Sequence, residues 1–131
     1  MNEVRAAHGL APLDDSHSLT EAATQHNLEM WRYGFFSHDS KSGAPFWVRI
    51  EHWYPPGRRY WAVGENILWN SPGIGPLTSL RLWMNSPEHR ANILNPAWRD
   101  IGISVVHFIS APATFGGGPT TLVTTDFGVG G

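Results

Sequence analysis

The last third of the chain decides the fold class, and residues 101–127 read IGISVVHFISAPATFGGGPTTLVTTDF. Apolar residues alternate with polar or small ones over 101–109 and again over 121–127, which is the period of a β-strand with one buried face. The segment 111–119 between them contains three consecutive glycines and predicts the long loop of a hairpin. The chain is therefore expected to end in two antiparallel strands.

The residues before this hairpin have helical spacing instead. Capping residues, glycines and prolines bound four predicted helices, over 17–33, 45–53, 76–85 and 87–94. A shorter helix is predicted over 2–8, closed by Gly9, and an extended segment over 63–69. Asp14, Asp15 and Ser16 are the N-cap candidates of the longest helix. Helices followed by an antiparallel hairpin indicate an α+β layered domain rather than a parallel α/β one.

Composition excludes several classes of protein. The 131 residues fit a single domain, and 41% apolar residues suffice for a core. A net charge of −2 without a basic patch argues against a nucleic-acid partner, and no run of about 18 apolar residues predicts a membrane span. The absence of cysteine excludes disulfides and thiolate metal sites. Because the helix over 2–8 is too short to be stable alone, we expect residues 1–131 to be one domain trimmed at its N-terminus.

Three places combine a loop or helix start with a titratable side chain. His38 follows two aromatic residues and a serine, and Glu65 lies in an apolar segment, where a buried carboxylate requires a partner. If Ser86 caps the last helix, His89 is its third residue, where the helix dipole favours the neutral imidazole. A neutral histidine can act as a base, an electrophile or a metal ligand.

Each of these residues also has a structural interpretation. His38 is also compatible with a loop histidine that bonds its neighbours, and Glu65 with a carboxylate that bonds backbone N–H groups. Ser86 is interpreted as a helix cap rather than an activated nucleophile, and His26, on an apolar helix face, as a core histidine. Three further residues are expected to hold the neighbouring loops in place: Asn66, Arg90 and Asn92.

Taken in order, the motifs along the chain are specific. They include Asn2-x-x-Arg5, Gly9-Leu10-x-Pro12-Leu13, Phe35-Phe36-Ser37-His38, Gly64-Glu65-Asn66-Ile67, WMNSPEHRANIL over 83–94 and Thr125-Asp126-Phe127-Gly128. This order closely resembles the CAP superfamily of cysteine-rich secretory proteins, antigen 5 and pathogenesis-related proteins, in its short bacterial branch without disulfides. The resemblance covers nearly the whole chain.

The resemblance implies an α–β–α sandwich, with a small antiparallel sheet between helical layers, and an extracellular or envelope location. It also implies a cleft with two histidines and two glutamates. By motif, His38 and His89 match the histidines and Glu65 matches the first glutamate. Ser86 stands where the second glutamate usually lies, so the set is reduced to three groups, and Glu88 is not at the matching position.

From this we expect a secreted, non-enzymatic CAP domain. Its cleft, lined by His38, Glu65, Ser86 and His89, would bind a small ligand or a divalent metal ion. The metal would be zinc or another divalent cation, held by His38 and His89 and not required for folding. The expected partner is an envelope or host component, and the expected state is a monomer.

Two alternative functions belong to other classes. One is a metal-assisted hydrolase acting on peptides or cell-wall polymers, with His38 and His89 as ligands and Glu65 as the candidate general base. The other is a sterol- or lipid-binding module with a groove lined by aromatic residues, namely Trp47, Trp53 and Trp61.

Overall fold

The computed structural model describes all residues from 1 to 131 and contains five α-helices and four β-strands. In chain order these are α1 (Asn2–Ala7), β1 (Asp14–Asp15), α2 (His17–Tyr33), α3 (Phe46–Trp53), β2 (Ala62–Asn70), α4 (Pro76–Met84), α5 (Pro87–Ile93), β3 (Asp100–Phe108) and β4 (Thr120–Val129). Every predicted helix is present, and the predicted hairpin is the β3–β4 pair. The mixed α+β fold class is therefore confirmed.

The long helix α2 begins and ends where its capping residues predict. The Ser16 hydroxyl accepts a hydrogen bond from the backbone N–H of Leu19 at 3.2 Å, which pairs one of the free donors at the helix start. Gly34 ends the helix in the left-handed conformation, with φ at 67°, which glycine adopts at little cost. These two local signals fix the bounds of α2.

The sheet has the strand order β1-β3-β4-β2. The strands β2 and β3 both pair antiparallel with the central β4, in a register that places Glu65 directly opposite Asp126. The strand β1 pairs parallel with β3, with Asp14 opposite Asp100. The interpretation of Asp14 and Asp15 as N-cap candidates is therefore wrong: their backbone extends the sheet, and Ser16 alone caps α2.

Helices cover both faces of the sheet. On one face α2 and α3 bury two apolar clusters, which include Leu19, Ile50 and Leu122. On the other face α1, α4 and α5 close over a cluster that includes Trp83, Ile93 and Phe127. This three-layer arrangement is the predicted sandwich, and each strand alternates side chains between the two helical layers.

The packing of α2 on β3 depends on one glycine. A Cβ added at Gly102 would lie 2.1 Å from the backbone nitrogen of Thr20, far inside contact distance. The absence of a side chain at Gly102 therefore lets the start of α2 cross close to the sheet. None of the five helices has the length and apolarity that a membrane-spanning segment requires.

Candidate functional site

Glu65 is the centre of a buried polar cluster on the face of the sheet covered by α2 and α3. Its side chain is fully buried, and its Oε1 accepts a hydrogen bond from Nδ1 of His38 at 3.0 Å. Its Oε2 accepts a hydrogen bond from Nη2 of Arg49, a buried residue of α3. Burial raises the pKa of Glu65, although the charge of Arg49 opposes that shift. Both oxygens of this carboxylate are thus engaged within the protein.

His38 lies in the loop after α2 and reaches solvent, with 45% of its side chain exposed. Because an ionised carboxylate only accepts hydrogen bonds, Nδ1 carries the proton that points to Glu65. Burial and the nearby Arg49 charge lower the pKa of His38, against the opposing effect of acidic groups that include Asp39 and Glu88. The ring is therefore neutral at pH 7, and its Nε2 presents a lone pair that makes no hydrogen bond within the chain.

His89 lies on α5, in the opposite helical layer. Its Nδ1 is 2.8 Å from Oγ of Ser86, and its ring stacks on Trp83 with 6.3 Å between ring centroids. Burial, followed by the charge of His38, lowers the pKa of His89. The predicted role of the Ser86 side chain as a helix cap is wrong, because Ser86 occupies the N-cap position without a side-chain capping bond. Its hydroxyl instead contacts the imidazole one turn further along.

Two amides join α5 to the strand that carries Glu65. Asn66 donates a hydrogen bond to the carbonyl of His89 at 3.0 Å. Asn92 donates to the carbonyl of Glu65 at 3.0 Å and to the side-chain oxygen of Asn66 at 2.9 Å. Arg90 acts elsewhere: it is exposed, and its Nη2 lies 3.2 Å from Nε2 of His8. The two asparagines therefore fix α5 against β2, and Arg90 contacts the end of α1.

A cavity of about 520 Å³ opens beside these groups, with eight lining residues: Ser37, His38, Asp39, Phe46, Val63, Gly64, Glu65 and Asn92. The structure thus brings His38 and Glu65 to one cavity, whereas His89 is not among the residues that line it. No three His, Cys, Asp or Glu side chains are placed to share a metal ion. The two histidines each keep one ring nitrogen free for a ligand, but Glu65 has no free oxygen and does not fit as a third ligand.

His26, predicted to be a core histidine, is a further member of this cluster. It is fully buried, and its Nε2 donates to the carbonyl of Ser37 at 2.6 Å while lying 3.9 Å from Oε1 of Glu65. Burial, and then the charge of Arg49, lower the pKa of His26 to about 3. This neutral ring holds the backbone directly before His38 and so positions the loop.

Two ionisable members of the cluster were missed by sequence reasoning. Arg49 shares a helix face with the apolar Phe46 and Ile50, three residues before it and one after, and this was a local sign that its guanidinium is buried. Asp126 stood in one of the family motifs without an assigned role. Its position opposite Glu65 depends on the β2–β4 register, for which the sequence holds no local sign.

No cavity lies at the position predicted for the aromatic groove. None of the three cavities in the structure is lined by Trp47, Trp53 or Trp61. Trp53 and Trp61 pack around a buried cluster that contains Ile50. A mostly apolar cavity of about 150 Å³ lies elsewhere, between α4 and the strands β3 and β4.

Comparison with known proteins identifies a family. The model of the cysteine-rich secretory protein family, CAP, matches residues 1–109. The uncharacterized protein YkwD of Bacillus subtilis (strain 168) is 34% identical over 106 residues, which are 80% of this chain and 39% of that protein. The uncharacterized membrane protein YlbC of the same organism is 33% identical over 104 residues, or 79% of this chain and 29% of that protein. The chain thus spans less than two-fifths of the length of the curated relatives it matches.

Two solved structures share the fold. An extracellular protein containing a SCP domain from Bacillus anthracis is 25% identical with a TM-score of 0.75, and the match covers 96% of this chain and 36% of that one. An outer surface protein from Borrelia burgdorferi is 17% identical with a TM-score of 0.79, covering 99% of this chain and 86% of that one. The second likeness shows the fold alone.

Proposed function

The chain belongs to the CAP family of cysteine-rich secretory proteins, and from this premise we propose that it is a non-enzymatic domain whose cleft binds a divalent metal ion or a small polar ligand through His38. The observation that carries the proposal is the hydrogen bond from Nδ1 of His38 to Glu65, which leaves a neutral imidazole with its Nε2 lone pair at the cavity. A secreted or envelope location fits the solved SCP-domain protein of Bacillus anthracis, which is described as extracellular.

A divalent ion at the cavity would be held by the free nitrogen of His38. His89, whose ring does not line the cavity, is the second proposed ligand. Neutral imidazole is the form of histidine that binds transition metals, and the pKa of each ring is lowered. Glu65 would orient the ring of His38 and increase its basicity without touching the ion. The acidic Asp39 and Glu88, which raise the pKa of His38, also favour a cation in this cleft.

The same geometry supports a binding role over the alternative of hydrolysis. A general base must reach the water that it deprotonates, and Glu65 is fully buried with both oxygens hydrogen-bonded to Arg49 and His38. The Ser86 hydroxyl contacts His89, but no carboxylate hydrogen-bonds that imidazole to orient it as a base. Glu65 is therefore not arranged as a general base, and Ser86 is not arranged as a nucleophile.

Calorimetric titration with zinc chloride tests the proposal. We expect binding to wild type, weakening of about tenfold or more in His38→Ala and in His89→Ala, and no binding to the double variant. His17→Ala, which removes an exposed histidine on α2, is the matched control and should bind like wild type. Equal zinc affinity in the double variant and wild type would exclude the cleft as the site. Turnover of peptide or peptidoglycan by the zinc-loaded protein would favour hydrolysis instead.

A further inference from the structure

Asp126 is a completely buried acid for which the family motif gives no role. It lies in the central strand β4, directly opposite Glu65 of β2, so the two carboxyl groups project side by side into the layer covered by α2 and α3. Neither oxygen of Asp126 receives a hydrogen bond from any donor in the chain. An ionised carboxylate in this position would be a buried charge without a donor.

The cluster contains one cation in contact with its acids. Arg49 donates to Glu65, and His38 also donates to Glu65, so the negative charge is satisfied on that residue. Two adjacent buried carboxyls beside one guanidinium cannot both ionise, and one of them keeps its proton. Asp126 has no donor to stabilise an anion, so it is the acid that stays protonated. Burial, reinforced by the neighbouring Glu65 charge, accordingly raises the pKa of Asp126.

Protonation gives Asp126 a hydrogen bond that its carboxylate lacks, because a carboxylic acid has a hydroxyl hydrogen to donate. We propose that Asp126 is a positioning residue of the cleft, which retains its proton, donates its hydroxyl hydrogen to Glu65 and so leaves the negative charge on the carboxylate that faces His38. The consequence for the cleft is that His38 keeps its proton on Nδ1 and its lone pair on Nε2. The inference rests on the proposed function only in taking His38 as the ligand-binding group.

The protonation state is tested first in the unaltered protein. In a sample labelled with carbon-13, we expect the side-chain carboxyl of Asp126 to have the chemical shift of a carboxylic acid at pH 7. In Glu65→Gln, Asp126 is the only acid of the cluster that remains to pair with Arg49. Its carboxyl signal should therefore move to the position of an ionised carboxylate. A carboxylate shift for Asp126 in wild type would overturn the inference without any variant.

Two substitutions of Asp126 separate positioning from mere filling of space. Asp126→Asn keeps a neutral group with an N–H donor, and Asp126→Leu keeps the branching at Cγ without a donor. We expect the asparagine variant to retain wild-type stability in urea and the wild-type nitrogen-15 spectrum of the His38 ring. The leucine variant should shift the His38 ring signals. Only the variant with a donor should therefore keep these signals at their wild-type positions.

Two outcomes contradict this role. A fall of about a hundredfold or more in the folding constant of Asp126→Asn would mean that a paired charge had been removed. Unchanged His38 signals in a folded Asp126→Leu would mean that the acid only fills space. If wild type bound no zinc, the proposed function would fail while these spectra still decided the state of Asp126. An ionised Asp126 with intact zinc binding would overturn this inference alone.

Discussion

His26 should make the stability of the protein depend on pH, and the size of the effect follows from its burial. Its pKa is lowered from 6.5 to about 3 in the folded protein, because burial removes the water that would solvate a charged ring and the positive charge of Arg49 repels it. A lowered histidine pKa contributes stability that is present above pH 6.5 and is lost as the pH falls below it. Linkage gives a loss of about 2 kcal/mol between pH 7 and pH 5. Any folded pKa below about 4 gives nearly the same figure.

The substitution His26→Gln removes this titration and keeps a side-chain N–H that can reach the carbonyl of Ser37. The free energy of unfolding is measured in urea for both proteins at pH 7 and pH 5. Glu65 and Asp126 have raised pKa values and so favour the fold at the lower pH, but both are present in each protein and largely cancel in the comparison.

We expect the glutamine variant to be less stable at pH 7, because it loses the packing of the ring against Phe35. The gap to wild type should shrink by about 2 kcal/mol at pH 5, where only wild type must exclude a proton from the buried ring. His17→Gln, at an exposed histidine of the same helix, is the control and should show a constant gap. A constant gap for His26→Gln as well would refute the claim that burial keeps this ring neutral.

Three further changes test the packing around the site by urea unfolding. Gly102→Ala forces a methyl group against the backbone of Thr20 and should cost about 1–3 kcal/mol or more, so unchanged stability would contradict the close crossing of α2. Arg49→Met leaves Glu65 buried without its cation and should lower the free energy of unfolding by about 3–5 kcal/mol at pH 7. This loss should become smaller at lower pH, where the carboxylate is protonated. A loss of stability that does not depend on pH would argue against the ion pair. Arg5→Ala removes a buried guanidinium that donates to three carbonyl oxygens, and should lower stability by more than about 1 kcal/mol, whereas substitution of the exposed Arg58 should not.

Much of the fold could be predicted because its signals are local. A serine and a glycine bound α2, prolines precede α3 and begin α4 and α5, and alternation identifies the two strands of the hairpin. The strand β1 escaped prediction because two residues carry no period. It forms a strand only because it pairs with β3, 86 residues further along the chain, and a local sequence pattern does not reveal such a pairing.

The candidate site divides in the same way. His38 and Glu65 were predicted from loop position and family motif, and the structure brings them into contact. Arg49 and Asp126 were missed because charged side chains are usually exposed, and their burial depends on partners on other elements. Ser86 was misinterpreted for a related reason: its backbone is at the N-cap position, as the sequence predicts, but the nearby imidazole of His89 competes for its hydroxyl.

The charge balance of the cluster also limits what the cleft can bind. Arg49 and Glu65 cancel each other, and the neutral ring of His38 brings no positive charge to the cavity surface. No lysine or arginine lines the cavity, whereas the acidic Asp39 does. Asp39 and Glu88 also oppose the lowering of the His38 pKa. An anionic ligand would meet these carboxylates without a free cation to compensate them, at a cost that falls with rising salt. We therefore expect the cleft to bind a cation, or a neutral ligand that donates a hydrogen bond to His38, in preference to phosphate and carboxylate groups.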